Sequence, residues 1–303
     1  MPSSNAIREA ETPWKAGRFD QAAGPRKILF GRVYEDVSVE MEAFQPGGRV
    51  FCIASAGCTA IALSCRHEVT AVDINPVQLE YARSRALGAP MRVGSAERVM
   101  AAGRKLLPLA GWHRRTLETF LELENPREQL DFWNARLNTR RFRYATDAMF
   151  SLAWLRTVYA SALLSILPPR FGSVMRARLE RCWNLHPNRL NVYARALLLG
   201  ELDGCPAPRT ASEIRFESAD AASFLESCPG GSFDGFAISN ILDGAPDAYR
   251  QRLYAAVRRA ASPDSMIVQR SFAEPAAASA HNLAERDRSL LWGIVDVRPV
   301  SRL

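Results

Sequence analysis

Asp73 closes the apolar run VTAVD, and Gly57 sits in the turn that follows an earlier apolar run, VFCIAS. A carboxylate at the end of such a run can accept both hydroxyls of a ribose. A glycine in the preceding turn lets the backbone approach a ligand where a Cβ would collide. Free N–H groups opening the next helix favour polar or anionic ligand groups. The turn lacks the other two glycines of G-x-G-x-x-G, so a diphosphate-bridged dinucleotide suits it poorly. S-adenosyl-L-methionine (AdoMet), with a ribose and no phosphate, suits it better.

These residues need a parallel β-α-β unit to hold them. The sequence predicts a strand over Val50–Ser55, a helix over Thr59–Ser64, a strand over Val69–Asp73 and a new helix behind Pro76. A third strand is expected much later, at Glu213–Glu217, followed by Asp220-Ala221. Asp220 suits two roles, a contact to an adenine amino group or a helix N-cap above Phe224. Strands over Phe233–Ile241 and Ser265–Phe272 follow, with a helix over Ala248–Ala260 between them and a last strand near Gly293–Val297. The expected fold class is α/β, a Rossmann-like AdoMet-dependent transferase sheet with a large helical insertion. Ligands of open α/β sheets sit outside the carboxyl ends of the strands, so Gly57, Asp73, Asp220 and Ser239-Asn240 are expected to share one crevice. Ahead of the first strand, Val33, Val37, Met41 and Phe44 recur at helical spacing. They predict a helix over Ile28–Phe44 that carries Tyr34-Glu35-Asp36, and in AdoMet folds a helix ahead of the first strand commonly packs over the methionine end of the cofactor.

The expected division is an arm over 1–27, a nucleotide-type domain over 28–94 and 206–303, and a helical insertion over 95–205 that serves the acceptor. With 303 residues, 48% of them hydrophobic, the chain suffices for one large domain with an insertion. The first thirty residues hold no apolar h-region, and six cysteines lie scattered without a C-x-x-C. Both features fit a cytoplasmic protein with reduced thiols. Cys58, Cys65 and His67 match no zinc spacing, so no metal is expected.

The net charge is +7, but residues 99–200 alone hold sixteen Lys/Arg against seven Asp/Glu. Arg127–Arg143 interleaves arginines with Phe132, Trp133 and Phe142, next to Tyr144. Such a pattern serves nucleic acid through phosphates and stacking, or an anionic membrane surface through headgroups and the interface. Ala148–Leu167 is nearly uninterrupted apolar, yet Arg156 interrupts it and Pro168-Pro169 ends it. A buried helix, or one lining an apolar acceptor groove, fits better than a membrane span.

Several stretches together resemble one family. They are Ile53-Ala54-Ser55-Ala56-Gly57-Cys58, Asp73-Ile74-Asn75-Pro76 with Gln78-Leu79, and Tyr34-Glu35-Asp36. Ser239-Asn240 ahead of Asp243, and Pro187 to Tyr193, complete the set. The string D-x-N-P-x-Q-L is the most specific of them. The chain thereby resembles the betaine-lipid synthases, the AdoMet:diacylglycerol 3-amino-3-carboxypropyl transferases, with Tyr34 where that family has Trp. The resemblance implies AdoMet as co-substrate, a diacylglycerol-like hydroxyl acceptor and release of methylthioadenosine. It places Ser55, Gly57, Asp73, Asn75, Gln78, Asp220, Ala221, Ser239 and Asn240 around AdoMet. It also favours a lipid surface over nucleic acid as the partner of the basic insertion, peripheral at the inner membrane.

A hydroxyl acceptor must lose its proton to a group within reach. Tyr34, Asp36, Asp243 and His113 are the candidates, taken in that order. Tyr34 and Asp36 suit equally well the task of holding the amino and carboxylate groups of AdoMet. A soluble small-molecule acceptor, a plain methyltransferase acting on a small molecule or RNA, and a non-catalytic membrane-associated protein are the alternatives.

Overall fold

Residues 14–17, 24–158, 164–202 and 213–303 are described by the computed structural model. Much of the N-terminal arm and the boundary near 205 lie outside those residues. The apolar runs form one six-stranded sheet: β1 (Arg49–Ile53), β2 (Glu68–Asp73), β3 (Arg215–Ser218), β4 (Phe233–Ser239), β5 (Ala261–Ser271) and β6 (Ile294–Pro299). Their spatial order is β3-β2-β1-β4-β5-β6. The first five are parallel and β6 runs antiparallel to β5. Strand order reverses direction between β1 and β4, which opens a crevice at their carboxyl ends. The fold is mixed α/β, compatible with a Rossmann-like arrangement.

Side chains alternate across the strands, and each face carries its own core. Val50, Cys52, Ala71, Ala237 and Val268 point to one face. There they meet Val39 of α1 (Ser38–Ala43), Ala60 and Leu63 of α2 (Cys58–Leu63), and Leu79 and Ala82 of α3 (Pro76–Ala86). Phe51, Val72, Phe236, Ile238 and Ile267 point to the other. Between β2 and β3 the described chain forms helices joined by turns, and no strand. It runs through α4 (Ser95–Arg104), α5 (Arg114–Leu121), α6 (Pro126–Phe132), α7 (Arg140–Met149), α8 (Leu152–Val158), α9 (Phe171–Leu185) and α10 (Val192–Leu198). The second face is covered by α11 (Ala221–Ser227) and α12 (Asp247–Ala260).

One expected element is corrected. The helix over Ile28–Phe44 exists only as α1, and residues 25–34 carry no helix. Other partners claim that backbone. Gln78 Oε1 accepts from Leu29 N at 2.8 Å and Phe30 N at 3.2 Å, and Gln78 Nε2 donates to Phe30 O and Ser55 O at 2.9 Å. Glu97 accepts from Gly31 N at 2.8 Å and Arg32 N at 3.2 Å. A Cβ on Gly31 would lie 1.9 Å from Arg92 O, so the segment threads where only glycine fits. Helical spacing alone did not reveal these competing partners.

The apolar stretch after Ala148 is likewise not one helix, because α7 ends at Met149 and α8 starts anew at Leu152; 159–163 lie outside the described residues. No helix among the described residues is long and apolar enough to cross a membrane. Trp133 and Phe142 face inward, in an aromatic core with Trp112, Phe120 and Trp183, while Tyr144 is exposed. Trp112 stacks on Phe142 with centroids 4.1 Å apart. Part of the arginine excess of this segment is internal. Arg178 donates to Phe272 O at 2.7 Å, and Arg181 to Trp292 O at 2.9 Å. Asn191 Nδ2 adds a bond to Arg288 O at 3.0 Å, which fastens α10 to the loop before β6.

Gln78→Leu leaves four buried or half-buried backbone groups without their partner. Denaturant unfolding should show a loss of about 3 kcal/mol, against less than about 0.5 for Val77→Ala on the exposed side of the same helix.

Candidate functional site

The crevice predicted from strand order is a cleft of about 670 Å³, counting space open to solvent. Each of four strand ends supplies part of its wall: Ser55 after β1, Asp73 to Asn75 at the end of β2, Asp220 and Ala221 after β3, and Ser239 and Asn240 at the end of β4. Gln78 closes the floor through its bonds to Ser55 and Phe30. Tyr249 from α12 and Trp14 from the N-terminal arm complete the wall. No Lys, Arg or His lines the cleft among the described residues.

Asp73 is held from both sides. Ser55 N donates to Oδ2 at 3.0 Å and Asn75 N to Oδ1 at 2.9 Å. Each carboxylate oxygen keeps capacity for a further donor. Burial pushes this carboxyl up to about 6, although the two N–H bonds pull it down. Asn75 caps α3 through Val77 N at 3.1 Å and reaches back to Lys27 O at 2.8 Å, with Pro76 pre-set at the first helical position. Asp220 caps α11 through Ser223 N at 2.9 Å, and its other oxygen accepts from Tyr249 Oη at 2.6 Å. The N-cap role is thus realised, and the same carboxylate faces the cleft.

Two residues lining the cleft hold a left-handed backbone, Ser55 at φ 45° and Ser239 at φ 53°. Neither is glycine, so each conformation costs of order 1 kcal/mol, and both lie at the carboxyl ends of the central strands. Ser239 Oγ donates to Glu35, which is buried directly behind it. Glu35 belongs to an ionic cluster centred on Arg270, which is fully buried. Arg270 bonds both oxygens of Glu40, one of them at 3.0 Å. It also reaches Asp287 at 2.9 Å, Glu35 at 3.4 Å and the Asp36 carbonyl at 3.1 Å. Three carboxyl groups thus share one guanidinium. Burial pushes Glu35 up to about 7, against the pull of Arg270 and with a push from Glu40.

Of the residues expected around AdoMet, Ser55, Asp73, Asn75, Gln78, Asp220, Ala221, Ser239 and Asn240 line the cleft. Gly57 is not among the lining residues. Its φ is 82°, and an added Cβ would lie 3.2 to 3.3 Å from Ala82, so the glycine serves the turn and the approach of α2 to α3.

The proposed catalytic residues stand elsewhere. Asp36 is buried and forms a bidentate pair with Arg288, the Nη2 bond being 2.9 Å. Burial raises its carboxyl, yet Arg288 outweighs burial and holds it below the usual range. Tyr34 is buried away from the lining, and burial together with Glu97 pushes its hydroxyl well up. Asp243 stands behind Asn240, accepting from Asn240 Nδ2 at 3.2 Å, Ser271 Oγ at 2.6 Å and Phe272 N at 3.1 Å. His113 is exposed ahead of α5. Glu35 is the acid of its tripeptide that reaches the cleft wall, and no spacing distinguished it from Asp36, because the expected helix does not form there.

Arg270→Met removes the charge that three carboxyl groups share. Urea unfolding at pH 7.5 should show a cost of about 3–5 kcal/mol. The deficit relative to the unsubstituted protein should shrink at pH 5.5, where the orphaned carboxyl groups take up protons. No protein-family model matches the chain and no curated protein matches it significantly.

Proposed function

We infer that the chain binds AdoMet in the crevice between β1 and β4 and transfers its 3-amino-3-carboxypropyl group to a hydroxyl acceptor. The observation that carries this is the charge of the wall. Asp73 and Asp220 stand at the ends of β2 and β3, and no basic side chain stands beside them among the described lining residues. Such a wall suits a cationic adenosyl ligand and repels a diphosphate. Asp73 at the end of β2 suits ribose hydroxyls, and Asp220 after β3 suits the base edge. The resemblance of the Ser55-Gly57, Asp73-Gln78 and Ser239-Asn240 stretches to the betaine-lipid synthases selects aminocarboxypropyl transfer over methyl transfer.

The sulfonium of AdoMet makes its neighbouring carbons electrophilic. When the acceptor oxygen bonds the γ-carbon, the carbon–sulfur bond breaks, both electrons go to sulfur as the neutral thioether leaves, and the hydroxyl proton passes to water in the open cleft. Which carbon reacts depends on which one is aligned at roughly 3–3.5 Å from the oxygen. Asp243 fixes the Asn240 amide on the cleft wall, and Gln78 fixes the Ser55 turn opposite it. Both act as positioning residues. The acceptor is a diacylglycerol-like lipid by resemblance, delivered at an anionic membrane surface. The exposed Arg136, Arg140 and Arg141, with Tyr144 and Trp154 also exposed, suit such a surface.

Calorimetry should detect AdoMet binding and no NAD binding. Asp73→Asn should weaken AdoMet by about tenfold or more, through loss of a charge-assisted acceptor. Affinity for AdoMet should also fall as pH drops below about 6, because protonated Asp73 accepts less well. With diacylglycerol, and then with small alcohols, chromatography should show methylthioadenosine. S-adenosylhomocysteine forming in step with acceptor consumption would mean methyl transfer instead. In a separate test, vesicles rich in anionic lipid should float the protein where neutral vesicles do not. Failure to float with turnover intact would assign a soluble acceptor.

A further inference from the structure

We propose that Glu35, acting through the Ser239 hydroxyl, holds the ammonium of an amino-acid group in the cleft and gives up a proton as that group arrives. The inference rests on AdoMet binding, since AdoMet carries such a group. The geometry supplies three supports. Ser239 lines the cleft at the end of β4, and Glu35 lies directly behind its hydroxyl. The backbone of Ser239 is held at φ 53°, a conformation that an L-residue adopts only where its surroundings impose it. And the cluster behind Ser239 has more acid than base.

The groups that face Glu35 come from every element around it. Among the described residues, Arg270 of β5 is the cation in contact, at 3.4 Å. Glu40 of α1 and Asp287 of the loop before β6 compete for it at 3.0 and 2.9 Å. The Cys52 thiol of β1 is close enough to feel Glu35 and is itself pushed up, first by burial. The neighbouring Asp36 carboxylate is already matched by Arg288. One guanidinium cannot neutralise Glu35, Glu40 and Asp287 together, so the cluster takes a proton or another cation. The Ser239 hydroxyl turns with that choice. When Glu35 is protonated it donates to Ser239 Oγ, and Ser239 presents its own O–H to the cleft. When Glu35 is ionised it accepts from Ser239, whose lone pairs then face the cleft and can receive an N–H from an ammonium. The arriving cation favours the second state, and the proton leaves Glu35 for the buffer.

The sign follows from the raised carboxyl. Glu35 lies near 7 and is about half protonated at pH 7, so ligand binding there releases protons, and at pH 8.5 little remains to release. Calorimetry of the intact protein at pH 7, in two buffers of different ionisation enthalpy, counts the protons directly. Methylthioadenosine is the comparison ligand, because like S-adenosylhomocysteine it keeps the adenosine and an uncharged thioether, and it lacks the amino-acid arm. Asp73 meets the same adenosine and the same neutral sulfur in those two ligands, so its contribution cancels between them, and for AdoMet the Glu35→Gln variant separates it. AdoMet and S-adenosylhomocysteine should each release about half a proton more than methylthioadenosine, and the excess should vanish by pH 8.5. Glu35→Gln should abolish the excess, and Ser239→Ala should reduce it. Equal release by AdoMet and methylthioadenosine in the unsubstituted protein would overturn the Glu35 assignment and leave AdoMet binding standing. If methylthioadenosine binds and AdoMet does not, the ammonium assignment also falls. If neither binds, the cofactor reading fails with it.

Discussion

Arg270 is the interaction on which the rest of this structure depends. Its guanidinium is fully buried and ties together pieces of chain that are remote in sequence: the 28–37 segment, α1, β5 and the loop before β6. A buried charge of this kind costs several kcal/mol to desolvate, and only a full set of acceptors offsets that. The acceptors here do so and also fix where each element ends. They join the bonds of Gln78, Glu97 and Arg288 in holding the segment that carries Glu35 against the end of β4. The cleft wall is thus held by electrostatics from behind, while apolar packing holds the sheet beneath it.

Much of the sheet was legible in the sequence because strands announce themselves by short apolar runs between turn residues. VFCIAS and VTAVD fell on β1 and β2 within a residue or two, and EIRFE fell on β3 despite the long helical stretch before it. The positions of Asp73, Asp220 and Ser239 followed from topology, since strand carboxyl ends must share an edge. The 28–37 segment was not legible. Its apolar residues have helical spacing, but Gln78 and Glu97 take its backbone donors, and nothing local records that competition. The roles within Tyr34-Glu35-Asp36 were lost with the helix, because only the true backbone path shows that Glu35 faces Ser239 and Asp36 faces Arg288.

Charge was legible in quantity and not in destination. The arginines of the helical stretch look like a surface from the sequence, yet Arg178 is buried and spends its donors on carbonyls of the sheet's far edge. Arg195 and Arg189 pair with Glu122 and Glu124 of the segment between α5 and α6. What remains outward is densest on α7 and the turn of helix before it, with Arg136, Arg140, Arg141 and Arg143, while Arg115, Arg127, Arg156 and Arg170 are exposed elsewhere on the stretch. The cleft has the opposite sign. A molecule with a basic exterior and an acidic crevice separates what it docks against from what it binds inside, and long-range attraction to one does not compete with the other.

The placement of β3 bears on how the molecule comes together. β3 pairs only with β2, Thr70 against Arg215, and the whole helical stretch is threaded between the two partners. The unit of β1, α2 and β2 can collapse as soon as it is made, since its contacts are local. β3 must wait until the intervening helices have condensed and brought its ends within reach. The wall that Asp220 supplies therefore arrives late in assembly, as does β4 with Ser239. A half-built chain already has Asp73 in place and still has no cleft. Any ligand that touches both the Asp73 and the Ser239 walls therefore reads out a completed sheet.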